Sequence, residues 1–393
     1  MNRTHLCTSP CPEKTVVLVA TLREFWRVSI YGWVVLVFAA LWVWGAWYWA
    51  AALQWILQAG ILWTLVLYET RQYLPLNHNG SASTPYAHLG LANRLTILRG
   101  WLIACTGGFL FQPFPPGFLV LVPAGLYAVS AIVDRLDGYA ARRTGQISRM
   151  GMELDTVFDA LGLAVAPLLA VWYGKIHWSY LLVSCAYYLF QWGVSYRHQA
   201  GLPVSSLQPK LSRRTIAGFQ MGFIAVVLFP IFEPPATRIA GFAFMLPVLA
   251  GFLLDWVAVS GAITKKSFLN QDTLARGEDV INYATQPLLR LLVAGALLAV
   301  VLRYTENIST LIHAAPLLLY AMAGCGMLIL TGILGRIFAL LLVLLLGWSY
   351  TTYLMGPLDY VILPAAIWVL ILGTGRFSVY PQDEVWVKRY DGA

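Results

Sequence analysis

Only 18 of the 393 residues are acidic, yet Asp134, Asp137, Asp155 and Asp159 fall within 26 consecutive positions. Asp134 and Asp137 are spaced i, i+3, and Asp155 and Asp159 i, i+4, so on helices each pair occupies one face. A short connection joins the two apolar segments that carry them, which makes the segments run antiparallel and lets the acidic faces meet. Four converging carboxylates repel one another unless positive charge sits among them. An all-oxygen donor set without His or Cys suits a hard divalent cation, Mg2+ or Mn2+, rather than zinc. The intervening residues extend the same chemistry. Gly138 and Gly151 let a ligand approach the backbone, and Arg142, Arg143 and Arg149 offer the planar fork that grips phosphate oxygens. Acids for metal, glycines for access and arginines for phosphate together describe metal-assisted phosphoryl transfer.

The chain around these residues is built for a bilayer. It is 59% hydrophobic and 11% charged, against roughly 25% charged in soluble domains, and its mean hydropathy is +0.69. Val28 to Tyr68 is a run of 41 residues without Asp, Glu, Lys or Arg, and about 20 residues cross a bilayer core as a helix. These properties exclude a soluble enzyme, a disordered chain and a disulfide-rich scaffold, and the continuous apolar runs exclude a transmembrane β-barrel. Charges and Pro/Gly clusters divide the sequence into about twelve helical spans, near 28–49, 51–68, 94–111, 117–140, 151–173, 178–196, 215–232, 239–262, 284–302, 310–330, 333–352 and 358–375.

Lysine and arginine orient these spans. With the N-terminus inside, the external connections hold only Lys175, Arg238 and Arg303, and the other 23 of the 26 basic residues lie on the cytoplasmic side or at its boundary. Both termini and the aspartates are then expected on the cytoplasmic side of a multi-pass membrane protein. The net charge of +8 serves helix anchoring and contact with membrane lipids rather than nucleic acid, since there is no soluble basic domain. Cys7 and Cys11 are expected to be cytosolic thiols. Loops at 71–90 and 263–285 mark three parts: residues 1–84 with a transmembrane hairpin, a middle block 85–265, and a C-terminal part 266–393 with four spans and a tail.

The residues from Asp134 to Asp159 fill a specific pattern. Asp134-Arg-Leu-Asp137-Gly138-Tyr-Ala-Ala141-Arg142, eight residues, Gly151, three residues, Asp155, three residues and Asp159 matches every fixed position of D-x2-D-G-x2-A-R-x8-G-x3-D-x3-D. This is the signature of the CDP-alcohol phosphotransferases (CDP-alcohol phosphatidyltransferases), which the chain resembles over about 85–265. One span earlier, Asn93, Thr96 and Arg99 are similar to the N-x2-T-x2-R that opens the family's first core helix.

The resemblance implies an all-α polytopic membrane protein, with a six-helix catalytic core flanked by the N-terminal hairpin and a C-terminal four-helix bundle. By the same resemblance Asp134, Asp137 and Asp155 hold a two-metal centre of Mg2+ or Mn2+. Asp159 contributes to that centre and acts as catalytic base toward the acceptor hydroxyl. Gly138, Ala141 and Gly151 make space for the cytidine and diphosphate, while Asn93, Thr96 and Arg142 contact the CDP part, and the chain pairs as a homodimer. The reaction implied is attack of an alcohol on the β-phosphorus of a CDP-alcohol, with release of CMP. An arginine at a cytoplasmic helix end also serves as an anchor, and for Arg99 and Arg149 both readings stand. Arg197, Lys210, Arg213 and Arg214 are candidates for the phosphate of an acceptor, beside a role in positive-inside anchoring.

Two branches of the family differ in which substrate carries the CDP. Leu163-Ala-Val-Ala-Pro167 resembles an apolar run of phosphatidylserine synthases, and Arg142-Arg-Thr-Gly145 is similar to both phosphatidylglycerophosphate synthases and the aminoalcohol branch. The D-H-G-x-D segment of the latter is absent, because Thr156 and Val157 follow Asp155. This favours CDP-diacylglycerol as donor and leaves the acceptor, a small or lipid alcohol, open. The alternative is CDP-choline or CDP-ethanolamine with diacylglycerol. A cation-coupled transporter is the rival from another class, since acids within a membrane often mark ion paths. The last four spans, about 284–378, resemble the DoxX-like membrane family on Thr331-Gly-Ile-Leu-Gly335-Arg336 and Gly373-Thr-Gly375-Arg376-Phe377-Ser378.

Overall fold

A computed structural model describes residues 12–79, 86–205, 211–261, 280–306, 315–351, 355–375 and 377–383. Cys7, Cys11, Lys210 and Arg376 lie outside these residues, as do the side chains of Arg213 and Arg214. The described residues form twelve α-helices, which we number in order. Their positions follow the apolar segments of the sequence. Six stretches are long and apolar enough to cross a membrane: 19–46, 49–76, 117–144, 149–172, 236–259 and 283–303. Shorter apolar helices cover 215–228, 317–331, 335–349 and 359–372.

The chain divides into two compact units. The first comprises residues 1–173 and 224–229, and holds α1 (Pro12–Ala46), α2 (Trp49–Tyr73), α3 (Gly90–Gly107), α4 (Val122–Thr144) and α5 (Arg149–Trp172). Its centre is α3, which packs against α2, α4 and α5. In a bilayer, helices associate through close packing and internal polar contacts rather than through hydrophobic exclusion, and small residues bring backbones together. Gly100 supplies this on α3: a Cβ there would stand 2.8 Å from Val66 on α2 and 3.2 Å from Phe158 on α5. Buried Ile97, Ile103 and Ala104 continue the same surface.

α4 ends where Gly145 takes a left-handed conformation (φ 66°), which only glycine adopts without strain. After three residues α5 starts at Ser148, whose Oγ accepts the Gly151 N–H at 3.0 Å as an N-cap. The sequence reading has the acidic faces of α4 and α5 meeting as neighbours. In the structure both helices pack on α3, and the acids come together around a residue that α3 provides.

The second unit, residues 174–223 and 230–393, holds α6 (Leu181–Gln199), α8 (Ala236–Val259), α9 (Gln286–Glu306), α10 (Ala315–Thr331), α11 (Gly335–Ser349) and α12 (Asp359–Leu372), while α7 (Leu211–Leu228) begins in it. α9 to α12 form a closed ring in which each helix packs on the next and α12 returns to α9. Arg290, 4% exposed, locks this ring by donating to the carbonyls of Ile329, Leu330, Thr374 and Phe377. Two carbonyls of the Gly373–Ser378 motif, those of Thr374 and Phe377, thus receive a buried arginine.

The packing of α3 is open to test. Gly100→Ala should lower the thermal stability of the purified protein, because overpacking costs about 1–3 kcal/mol and outweighs the gain in helix propensity. Gly125→Ala on α4, where a new Cβ meets nothing within 4 Å, should be neutral or stabilising by up to ~1 kcal/mol. Equal melting temperatures for the two variants would contradict the packing described.

Candidate active site

The site is built from one face of α3 and the two acidic helices that lie on it. Thr96 and Arg99 are one helical turn apart and point the same way. The Thr96 hydroxyl donates to Asp137 Oδ2 at 2.9 Å. Arg99 Nη1 lies 2.6 Å from Asp134 Oδ1 and 2.8 Å from Asp155 Oδ1, and Nη2 donates to Asp159 Oδ1. One guanidinium therefore engages three carboxylates from two helices, using the fork that lysine lacks.

Exposure changes steeply across this cluster. The Arg99 side chain is 1% exposed, that of Asp134 22%, of Asp159 41% and of Asp155 50%. The cation is the floor and the carboxylates are the rim. A buried arginine without partners would be very costly, and here all three partners are carboxylates, one carried by α4 and two by α5. The single positive charge does not balance the acids, so the rim keeps an excess of negative charge.

The arrangement fits a hard divalent cation. Asp134, Asp155 and Asp159 each offer a carboxylate oxygen, all within 4.8 Å of one another, and the donor set is all oxygen, as Mg2+ or Mn2+ requires. Asp137 stands outside this group of three, 8% exposed and bonded to Thr96.

The other sequence candidates have distinct places. Asn93 is 3% exposed; its Nδ2 donates to Asn77 Oδ1 at 3.0 Å and to the Leu89 carbonyl at 2.8 Å, and its Oδ1 accepts from Ser148 Oγ at 3.0 Å. Gly151 is small for the same reason: a Cβ there would stand 2.7 Å from Asn93 Oδ1. At Gly138 an added Cβ would make only an ordinary contact with the Arg142 side chain. Ala141 is half-buried, Arg142 is exposed, and exposed Arg143 donates to Tyr139 Oη at 2.8 Å. In the second unit, Arg197 donates to the carbonyls of Pro203 at 2.8 Å and Ser260 at 3.0 Å.

The residue that the acidic pattern misses is Arg99. Its spacing, three after Thr96 and six after Asn93, placed it on the right face, but an arginine near a helix end also reads as an anchor. Asn77 and Ser148 carry no motif at all, and their part in the site emerges only from the fold.

A helical membrane protein with a carboxylate cluster suited to hard cations is thus defined by geometry. Residues 89–262 match the family model of the CDP-alcohol phosphatidyltransferases. Similar curated proteins include a CDP-diacylglycerol–serine O-phosphatidyltransferase of Methanocaldococcus jannaschii, 45% identical over 49 residues, which are 12% of this chain and 24% of that protein. A CDP-diacylglycerol–glycerol-3-phosphate 3-phosphatidyltransferase of Pseudomonas fluorescens is 35% identical over 83 residues, 21% of this chain and 42% of that protein. A CDP-diacylglycerol–serine O-phosphatidyltransferase of Mycobacterium leprae is 47% identical over 47 residues, 12% of this chain and 16% of that protein. The chain thus spans less than half the length of these curated relatives. No solved structure matches it.

Removing the floor of the site should expose its charge imbalance. Arg99→Leu is expected to destabilise the protein by about 3 kcal/mol, the lower end for breaking a buried ion pair because two partners are half exposed. Millimolar Mg2+ should raise the melting temperature of Arg99→Leu more than that of the unaltered protein, since the ion then supplies the missing positive charge. A variant of unchanged stability with no Mg2+ response would refute this account of Arg99.

Proposed function

We propose that the protein transfers a phosphatidyl group from a CDP-alcohol to the hydroxyl of an acceptor alcohol and releases CMP. The observation that carries this reading is the convergence of Asp134, Asp155 and Asp159 within the family-matched segment. The proposed donor is CDP-diacylglycerol, which the printed names of all three relatives share. Those names differ in the acceptor, serine or glycerol 3-phosphate, so the acceptor is the variable to be found. Arg197, Lys210, Arg213 and Arg214 are proposed to hold the phosphate of an acceptor that has one.

Asp134, Asp137, Asp155 and Asp159 would hold Mg2+ or Mn2+, which when bound supplies charge neutralisation along the diphosphate. Arg99 fixes Oδ1 of Asp134, Asp155 and Asp159 from below, so each carboxylate presents a set direction before substrate arrives. Gly138, Ala141 and Gly151 line the place proposed for the cytidine and diphosphate, and exposed Arg142 is placed to reach a phosphate oxygen. Asn93 and Thr96, which bond inside the protein, contribute as the surface beneath the CDP part. The acceptor oxygen forms a bond to the β-phosphorus, the bond from that phosphorus to the CMP oxygen breaks, and CMP leaves with the electron pair. The hydroxyl proton passes to Asp159, whose second oxygen is the proposed acceptor.

In the membrane we propose twelve spans, with both termini and the aspartates at the cytoplasmic face of a bacterial inner membrane. The asymmetry of lysine and arginine supports this orientation.

Purified protein incubated with CDP-diacylglycerol and, in turn, serine, glycerol 3-phosphate, inositol or inositol phosphate should release CMP with one acceptor and give a lipid product of the matching mass. EDTA should abolish turnover and Mg2+ or Mn2+ restore it. Asp159→Asn should lower kcat by about 10²- to 10⁴-fold, the usual contribution of a general base, with a smaller change in KM for the donor. A parallel reaction with CDP-choline and diacylglycerol tests the aminoalcohol alternative. Absence of CMP from every pair with either metal would end the phosphotransferase reading, and full activity of Asp159→Asn would end the assignment of the base.

A further inference from the structure

The family match begins at residue 89, but the polar network under the acidic cluster begins earlier, in the segment that follows the N-terminal hairpin. Asn77 is 1% exposed. Its Nδ2 donates to the His88 carbonyl at 2.9 Å, and its backbone carbonyl accepts the Tyr86 N–H at 2.8 Å, so the residue is held at both ends. Its Oδ1 accepts from Asn93 Nδ2 at 3.0 Å. That bond turns Asn93 Oδ1 toward Ser148, whose Oγ donates to it at 3.0 Å and accepts the Gly151 N–H at 3.0 Å.

The chain of bonds therefore runs from Asn77 through Asn93 and Ser148 to the first turn of α5. A neighbouring backbone bond reaches the same place directly, because the Arg149 N–H donates to the His78 carbonyl at 3.0 Å. The first N–H groups of a helix have no partner within it. Two of those of α5 are thus satisfied, one by the hairpin segment and one by a cap that the hairpin segment orients. Asp155 stands one turn beyond Gly151 on this helix and Asp159 one turn further.

A second tether fixes the helix at the other side of the network. Glu24 on α1 accepts the Leu89 N–H at 2.9 Å and the Arg94 Nε–H at 2.6 Å. It holds the start of α3, which carries Asn93, Thr96 and Arg99. The hairpin and the segment after it thereby touch the beginnings of α3 and α5, two of the three helices whose side chains meet around Arg99.

We propose that Asn77 is a positioning residue for the acidic cluster, and that the N-terminal hairpin and the segment after it are a working part of the catalytic unit. Asn77 acts through Asn93 and Ser148, by setting the N-terminus of α5 and with it the direction of Asp155 and Asp159. The role in turnover rests on the phosphotransferase reading above; the role in fixing α5 does not.

The test uses full-length protein in lipid nanodiscs, with hydrogen–deuterium exchange of residues 149–153 and CMP release as separate readouts. Asn77→Leu keeps the number and branching of the side-chain heavy atoms and removes the polar ones. It should speed exchange of that first turn at least tenfold and lower kcat about tenfold, with less than a threefold change in KM for the donor. Asn77→Asp keeps the acceptor for Asn93 but loses the donor to the His88 carbonyl, and should recover part of both losses. Leu62→Ala, a packing change on α2, should lower the melting temperature without speeding exchange at 149–153. Asn77→Ser serves the same comparison if the leucine variant does not accumulate. Exchange within twofold of the unaltered protein in Asn77→Leu or Asn77→Ser, or an equal acceleration in Leu62→Ala, would overturn the proposal. If the unaltered protein releases no CMP while Asn77→Leu still frees the first turn of α5, the phosphotransferase reading fails and the positioning of α5 by Asn77 holds.

Discussion

One guanidinium decides how the first unit is assembled. Arg99 is buried on the central helix, and an arginine in that position needs charged partners around it. Its three carboxylate contacts reach to α4 for Asp134 and to α5 for Asp155 and Asp159, so α3, α4 and α5 are bound to one geometry by a single side chain. The same contact performs two tasks. It removes the cost of the buried cation, and it holds three acids closer together than their mutual repulsion would otherwise allow. The excess negative charge left at the rim is what makes the place attractive to a divalent ion.

Among the described residues, three buried cations are neutralised in three different ways. Arg99 uses carboxylates only. Lys175, 2% exposed, is met by Glu233 at 2.7 Å and the Phe232 carbonyl at 2.8 Å. Arg290 is held by backbone carbonyls, two of them at the C-terminal end of α10, where the helix dipole adds negative potential. The distinction bears on function. Carbonyls fully occupied by an arginine make a structural lock, whereas carboxylates each keep two oxygens and can serve a cation on either side.

Much of this was legible in the residues. The acidic pattern located the site, because carboxylates are expensive in apolar segments and four at helical spacing need a common reason. Apolar runs placed most of the helices to within a turn or so: the span read at 117–140 is α4 with its preceding turn and the span read at 151–173 is α5, whereas α1 starts at Pro12, well before the span read at 28–49. What could not be read was the side-chain network. Asn93 looked like a ligand-facing residue, and its actual bonds to Asn77 and Ser148 depend on three segments meeting in space. Arg99 had two readings of equal standing until the fold showed which groups it faces. Linear spacing reports which residues share a helix face, and it is silent about what a neighbouring helix brings to that face.

The two arginines on α3 also bear on how the protein enters its membrane. Arg94 and Arg99 lie within an 18-residue helix, and α3 is not among the stretches apolar enough to cross by composition. An arginine at the centre of a lone helix opposes insertion by roughly 2.5–3.5 kcal/mol on translocon scales. The groups that neutralise Arg99 are synthesised later, on α4 and α5, while the glutamate that meets Arg94 is already present on α1. In chain order, then, Arg94 is met by a residue that precedes it and Arg99 by residues that follow it, so the charges of α3 are matched only when helices from both sides of it in the sequence are in place.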